Sequence, residues 1–158
     1  MVVKDLMTRS PATCKASDSA NDAARIMWEC DCGAVPVLDD QGSVTGIVTD
    51  RDICMAAYFQ GTSLAAIPLH SIMSTDVYTC EPDVELQDAE RIMRTHQIRR
   101  LPVVDRRRGL VGLLSISDVA HGIRPDGDVR AASKENIDLL LQTVAAVSEP
   151  RHHRRPGA

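Results

Sequence analysis

The chain has 158 residues and a mass of 17.2 kDa, with 44% hydrophobic and 25% charged residues. That balance fits one ordinary globular domain or two very small ones and excludes disorder along the whole chain. A net charge of −4 and a pI near 5.7 give no electrostatic reason to bind nucleic acid, and the four aromatics, Trp28, Tyr58, Phe59 and Tyr78, are too few for a base-stacking platform.

No apolar run approaches the roughly 20 residues of a membrane-spanning helix. Residues 1–5 lack the basic-then-apolar order of a secretory signal. The five cysteines, Cys14, Cys30, Cys32, Cys54 and Cys80, are odd in number and have no two-residue metal or redox spacing. They read as reduced, mostly buried thiols of a cytoplasmic protein, with no metal site.

In chain order, a short β-prone stretch at residues 12–15 precedes a helix carrying Ala20, Ala23, Ala24 and Met27 on one face, with Asp18 or Ser19 as its cap. A buried strand, Ala34-Val35-Pro36-Val37-Leu38, follows. Its proline predicts a strand start or an edge position. Residues 39–42, Asp-Asp-Gln-Gly, are a turn. A second strand over 43–48 runs into a helix starting near Asp50, which Gly61-Thr62-Ser63 breaks.

The same order then recurs. Residues 77–81 are β-prone, Leu86, Ala89 and Met93 share a helix face, strands cover 101–104 and 110–114, and a helix begins near Ile116. Shifting the sequence by 66 positions lays residues 5–53 on 71–119 without a gap, with 13 identities in 49 pairs. The chain is therefore an internal repeat. Its boundaries read as repeat one at 1–60, a linker at 61–70, repeat two at 71–122, a loop and C-terminal helix at 123–150, and a disordered basic tail at 151–158.

The fold class is α/β (α+β): two β-α-β-β-α units with pseudo-two-fold symmetry, sharing a core and leaving a cleft between them, plus the extra helix. Within 123–150, residues 124–128 are a loop. Ser133 then caps a helix to about Val147, whose stripe of Ile137, Leu140, Leu141 and Val144 is expected to pack on its own domain, with a subunit contact as the other main option.

The chemistry concentrates in a motif that occurs twice. Gly46-Ile47-Val48-Thr49-Asp50-Arg51-Asp52 matches Gly112-Leu113-Leu114-Ser115-Ile116-Ser117-Asp118. A hydroxyl residue followed three positions later by an acid is, on one reading, a helix capping box. On the other, Thr49 and Ser115 offer hydroxyls and helix-start N–H groups to a phosphate or sugar oxygen, and Asp52 and Asp118 accept from a ribose diol. Arg51, Arg99 and Arg100 supply cations. Repeat one has Gly33 and Ala34 where repeat two has Arg99 and Arg100, so the two clefts differ in charge. Val35, Ile47, Leu101 and Leu113 are apolar enough to sandwich a purine, or simply to be core.

Two units with a Pro-Val strand, an acidic turn and a Gly…Thr/Ser-x-x-Asp end resemble a pair of cystathionine β-synthase (CBS) domains, a Bateman module. The resemblance spans about residues 3–122 and is similar to the stand-alone bacterial type. It implies an adenosine-type regulatory ligand (AMP, ADP, ATP, NAD(H) or S-adenosylmethionine) between the units, with no required cofactor.

By the same resemblance, Asp52 and Asp118 contact ribose, while Thr49, Arg51, Ser115 and Ser117 face ribose or phosphate. Arg99 and Arg100 hold phosphate, and backbone at Gly33, Ala34 and Val35 lines the purine. It also implies a homodimer and a protein partner yet to be identified, while charge and the short apolar runs point to neither nucleic acid nor membrane as a target. Two other readings are a nucleotide hydrolase, against which stands the lack of a Walker loop or nucleophile–base pair, and an interaction module with vestigial clefts.

Overall fold

The structure, a computed structural model, describes residues 1–123 and 133–150. The loop expected at 124–128 and the tail at 151–158 lie outside the described residues. A 3-10 turn at Val3–Asp5 leads into β1 (Thr8–Arg9), β2 (Cys14–Lys15), α1 (Ala20–Glu29), β3 (Ala34–Leu38), β4 (Val44–Thr49) and α2 (Asp50–Gln60). Two further 3-10 turns, Leu64–Ala66 and Leu69–Ser71, precede α3 (Leu86–His96), β5 (Arg100–Val104), β6 (Leu110–Ser115), α4 (Ile116–Gly122) and α5 (Lys134–Ser148).

Local chemistry explains the element ends. Ser19 caps α1 and exchanges hydrogen bonds with Asp22, and the Ala20, Ala23, Met27 face is buried. In α3 the buried face is Leu86, Ala89, Glu90 and Met93. Helix α2 stops at Gly61, which takes the left-handed conformation (φ 60°) that glycine adopts without steric cost. In the β3–β4 turn, Asp39 Oδ1 accepts the N–H groups of Gln41 and Ser43 at 2.9 and 2.8 Å. Asp105 repeats this with Arg107 and Gly109 at 2.8 and 2.9 Å. The shared aspartate is thus a turn residue.

The strands form two three-stranded sheets, ordered β2-β3-β4 and β1-β6-β5. Pro36 therefore lies in the middle of a central strand, contrary to the strand start or edge expected for it. The reason is in the pairing: β2 is two residues long and enters opposite Val37 and Leu38, beyond the proline. In repeat two, Cys80 alone takes the place of β2, bridging Val103 in parallel, with its N–H donated to the Pro102 carbonyl at 3.2 Å. The proline contributes its carbonyl, and no ladder bond needs its missing N–H.

Strand β1, from the start of the chain, pairs with β6 of repeat two. Reciprocally, Ser74 pairs with Ile47 of β4 through two hydrogen bonds of 3.0 and 2.9 Å. Each repeat is completed by the segment preceding the other. The cores follow the same exchange. Val3 joins Leu86, Met93, Leu101, Val103 and Leu114 in one cluster, while Ile67 and Leu69 join Ala23, Val35, Val37 and Val48 in the other. There are two clusters, not the shared core expected from repeat size. The exchanged segments supply the apolar surface that a unit of about 50 residues lacks.

The C-terminal helix docks through a face different from the expected one. Thr143 and Val147 are its buried residues and Leu140 is partly buried, while Ile137, Leu141 and Val144 stay exposed. Its seat on α3 is polar at the centre. Arg94 Nη1 donates to Thr143 Oγ1 at 2.8 Å, and that hydroxyl lies 3.3 Å from Oε1 of the buried Glu90 and 2.9 Å from the Leu139 carbonyl. Burial pushes the Glu90 carboxyl above its ordinary range. The face differs from the apolar stripe because Thr143, which pairs with the buried Glu90 and the partly buried Arg94, sits at its centre between Leu140 and Val147.

Candidate functional site

Each Thr/Ser-x-x-Asp motif sits at a strand-to-helix junction. Thr49 ends β4 and caps α2: its N–H and Oγ1 donate to Asp52 Oδ2 at 2.8 and 2.7 Å, and Asp52 N–H donates back to Oγ1 at 3.2 Å. Ser115 and Asp118 reproduce this at 2.7, 2.7 and 3.1 Å at the start of α4. The capping box expected on one reading is thus formed in both motifs.

It leaves each carboxylate half free. Every one of these bonds falls on Oδ2, and Oδ1 of Asp52 and of Asp118 makes no hydrogen bond among the described residues. Both aspartates are partly exposed. Capping and acceptance from a diol are therefore compatible. Ser19 and Asp22 form an equally good box at 2.6, 3.1 and 3.2 Å on α1, so the box alone does not mark a site.

The neighbourhood is what distinguishes the two motifs. Arg100, at the start of β5, extends across to repeat one. A side chain built on Gly33 would place its Cβ 2.7 Å from Arg100 Nη2 and 3.1 Å from Asp50 Oδ2. Gly33 is thus the gap through which the guanidinium reaches the first helix start. Asp50, which sequence reasoning missed, stands beside it as the first residue of α2, with Oδ1 accepting Arg51 N–H at 2.7 Å. The repeat alignment carried a signal for it: Asp50 faces Ile116 across the repeat just as Ala34 faces Arg100, an acid and a base on complementary copies.

Arg99 goes elsewhere: its Nε donates to the Val147 carbonyl of α5 at 3.3 Å. The side chains of Val35 and Leu101 are 0% exposed, one in each core cluster, and Ala34 is buried too. Of the purine sandwich expected from these residues, only backbone is available at Val35 and Leu101. Ile47 and Leu113 are partly exposed and alternate along β4 and β6 with the core residues Val48 and Leu114, so they lie on the opposite faces of their strands. Arg51 and Ser117 are exposed in the first turns of α2 and α4. The described residues hold no cluster of three or more His, Cys, Asp or Glu that fits a metal.

The cysteines divide. Cys14 and Cys80 are buried and their thiols are pushed up to about 11 by desolvation, whereas Cys30 and Cys54 are exposed and Cys32 is intermediate. The expectation of mostly buried thiols holds for only those two. All five are free of disulfides, and no helix among the described residues is long and apolar enough to cross a membrane.

The sequence profile of the CBS domain matches residues 3–58 and 69–125. The CBS domain-containing protein YhcV of Bacillus subtilis is 40% identical over 118 residues, 75% of this chain and 82% of that protein. Among solved structures, the CBS domain pair of protein MJ0100, in complex with 5′-methylthioadenosine and S-adenosyl-L-methionine, superposes with a TM-score of 0.70 at 27% identity, over 77% of this chain and 94% of that one. CBSX2 in complex with AMP superposes with a TM-score of 0.66 at 28% identity, over 76% of this chain and 93% of that one.

Proposed function

The chain belongs to the CBS domain family, and on that premise we propose that it is a regulatory module that binds an adenine nucleotide between its two repeats and reports it to a protein partner. The observation that carries the reading is Arg100 crossing from repeat two to Gly33 and Asp50 of repeat one. A phosphate held there ties the repeats together, and a ligand that binds one arrangement better shifts the equilibrium toward it. Oδ1 of Asp118 or Asp52 accepts from the ribose diol. Thr49, Ser115 and Ser117 offer hydroxyls, and backbone at Gly33, Ala34 and Val35, with Ile47 and Leu113, lines the base. The adenosine-type ligands of the MJ0100 pair and of CBSX2 support the ligand class.

The role is regulation, not catalysis. Five free thiols fit the reducing cytoplasm expected for it. A thermal-shift screen of AMP, ADP, ATP, NAD(H), S-adenosylmethionine and adenosine tests the reading, because a ligand of the native state raises stability by mass action. A shift with none of them removes it. That outcome would favour the second reading, an interaction module with vestigial clefts, for which the supporting observation is that Ser19 and Asp22, outside the doubled motif, form the same capping box.

The module also acts as a homodimer in this proposal. Trp28 on α1 is 88% exposed and lines a mainly apolar groove of about 350 Å³ together with Met27, Asp50, Ile53 and Cys54, and Tyr58 and Phe59 near the end of α2 are 77% and 75% exposed. Helix α5 covers the corresponding helices of repeat two, and nothing in the chain covers this face among the described residues.

A further inference from the structure

Arg99 and Arg100 are adjacent and serve different parts of the molecule. Arg100 enters the cleft, while Arg99 binds the Val147 carbonyl in the last turn of α5. The final four carbonyls of a helix lack internal partners, and its dipole favours a cation at that end. Gln97 adds a donor, its Nε2 lying 3.5 Å from both the Ala146 carbonyl and Glu149 Oε2. Arg94 holds Thr143.

Residues 94–99 thus form the clasp of α5 and lead directly into Arg100. The main chain closes the circuit: the Arg99 carbonyl accepts the N–H of Ile116 at 3.0 Å, and Ile116 opens α4 between Ser115 and Asp118.

We propose that Arg99 is the positioning residue through which a nucleotide in the cleft controls the seat of α5. A ligand held by Arg100, Ser115 and Asp118 fixes the starts of β5 and α4. Arg99, anchored between them, then tightens the end of α5 against α3. The inference rests on the ligand class proposed above, and it makes α5 the element that reports occupancy. That helix begins at Lys134, beyond the CBS match ending at residue 125. Linkage is reciprocal: the factor by which nucleotide tightens α5 is the factor by which a seated α5 favours nucleotide. A charge-assisted hydrogen bond supports a factor of about ten.

Amide hydrogen exchange of the full-length chain, with and without AMP and alongside calorimetric titration, tests this. In the wild type, AMP is expected to slow exchange at residues 143–148 by about tenfold. In Arg99→Ala those amides exchange faster without ligand and AMP no longer slows them. Its AMP affinity falls by no more than the wild-type protection factor, and Arg99→Lys restores part of the effect.

AMP that binds the wild type yet leaves α5 exchange unchanged overturns the inference while the ligand reading stands. So does an Arg99→Ala variant that loses AMP affinity by more than that factor with adenosine unaffected, which makes Arg99 a phosphate ligand. If AMP fails to bind the wild type, calorimetry shows the ligand reading has failed and the inference falls with it.

Discussion

At the scale of single residues, Gly33 and Glu90 each make a sharp forecast. Gly33 lacks a side chain where Arg100 crosses, and a methyl group there meets the mobile end of the guanidinium before it meets backbone. Gly33→Ala should therefore leave the melting temperature within about 2 °C, a surface-sized effect. Calorimetric titration should show a larger loss of affinity for AMP than for adenosine, because the methyl group displaces the guanidinium that meets the phosphate. Equal losses for both ligands would mean that Arg100 does not meet the phosphate.

Glu90 carries a raised pKa because it is desolvated under α5, with Thr143 and Arg94 opposing the shift. A carboxyl whose folded value is raised binds protons more readily when folded, so its ionised form costs stability above that folded value. The cost disappears as pH falls through the folded value to the ordinary one near 4.5. Glu90→Gln should raise the melting temperature at pH 7, with the gain shrinking as the pH approaches 4.5. A pH-independent difference between the two proteins would show that desolvation is not the cause.

Much of the residue chemistry was legible in the sequence. The motif aspartates, the capping residues and the charge asymmetry between clefts follow from residue type and spacing. The division between Arg99 and Arg100 does not, because the Val147 carbonyl that claims Arg99 reaches it only once α5 has packed.

At the scale of elements, the exchange of segments decides stability. Gly46 and Gly112 are identical across the repeat because a foreign segment crosses each. A Cβ on Gly46 meets Met73 Sδ at 2.6 Å and the Ser74 carbonyl at 3.2 Å, and one on Gly112 meets Met7 and the Thr8 carbonyl. Gly112→Val should cost about 1–3 kcal/mol, as overpacking does, by lifting β1 from β6. Denaturant unfolding reads that loss, and exchange should localise it to residues 3–9. An unchanged midpoint would show that the crossing segment is not pinned there.

The helices and strands themselves were readable, since apolar spacing separates α1 and α3 from β3 and β5 within a few residues. The identity of the partner strand was not. An ungapped shift of 66 positions says that two segments are alike, and it is silent on which copy each pairs with. The docking face of α5 escaped for a related reason: Thr143 and Glu90 satisfy each other only after packing has brought them together.

At the scale of the whole molecule, the repeats are unequal partners. Repeat two is covered by α5, while repeat one leaves Trp28, Tyr58 and Phe59 on its helices in water. The proposed dimer would bury these exposed apolar side chains. Light scattering should give twice the chain mass for the wild type and the single-chain mass for Trp28→Glu, with circular dichroism unchanged. A wild-type monomer at micromolar concentration would contradict the dimer.

The cleft is the second feature of the whole, and the central claim is that it binds an adenine nucleotide through Arg100 and the motif aspartates. Calorimetric titration of the wild type, Asp52→Ala, Asp118→Ala and Arg100→Ala with AMP and with adenosine tests it most directly. Loss of a charged acceptor for the ribose diol should weaken both ligands by about 10- to 150-fold in the affected cleft, equivalent to about 1.5–3 kcal/mol. Arg100→Ala should weaken AMP and leave adenosine nearly unchanged, because only AMP carries a phosphate to neutralise. Equal affinities across the four proteins, with only the melting temperatures of the aspartate variants lowered, would leave the motifs as helix caps and contradict the claim.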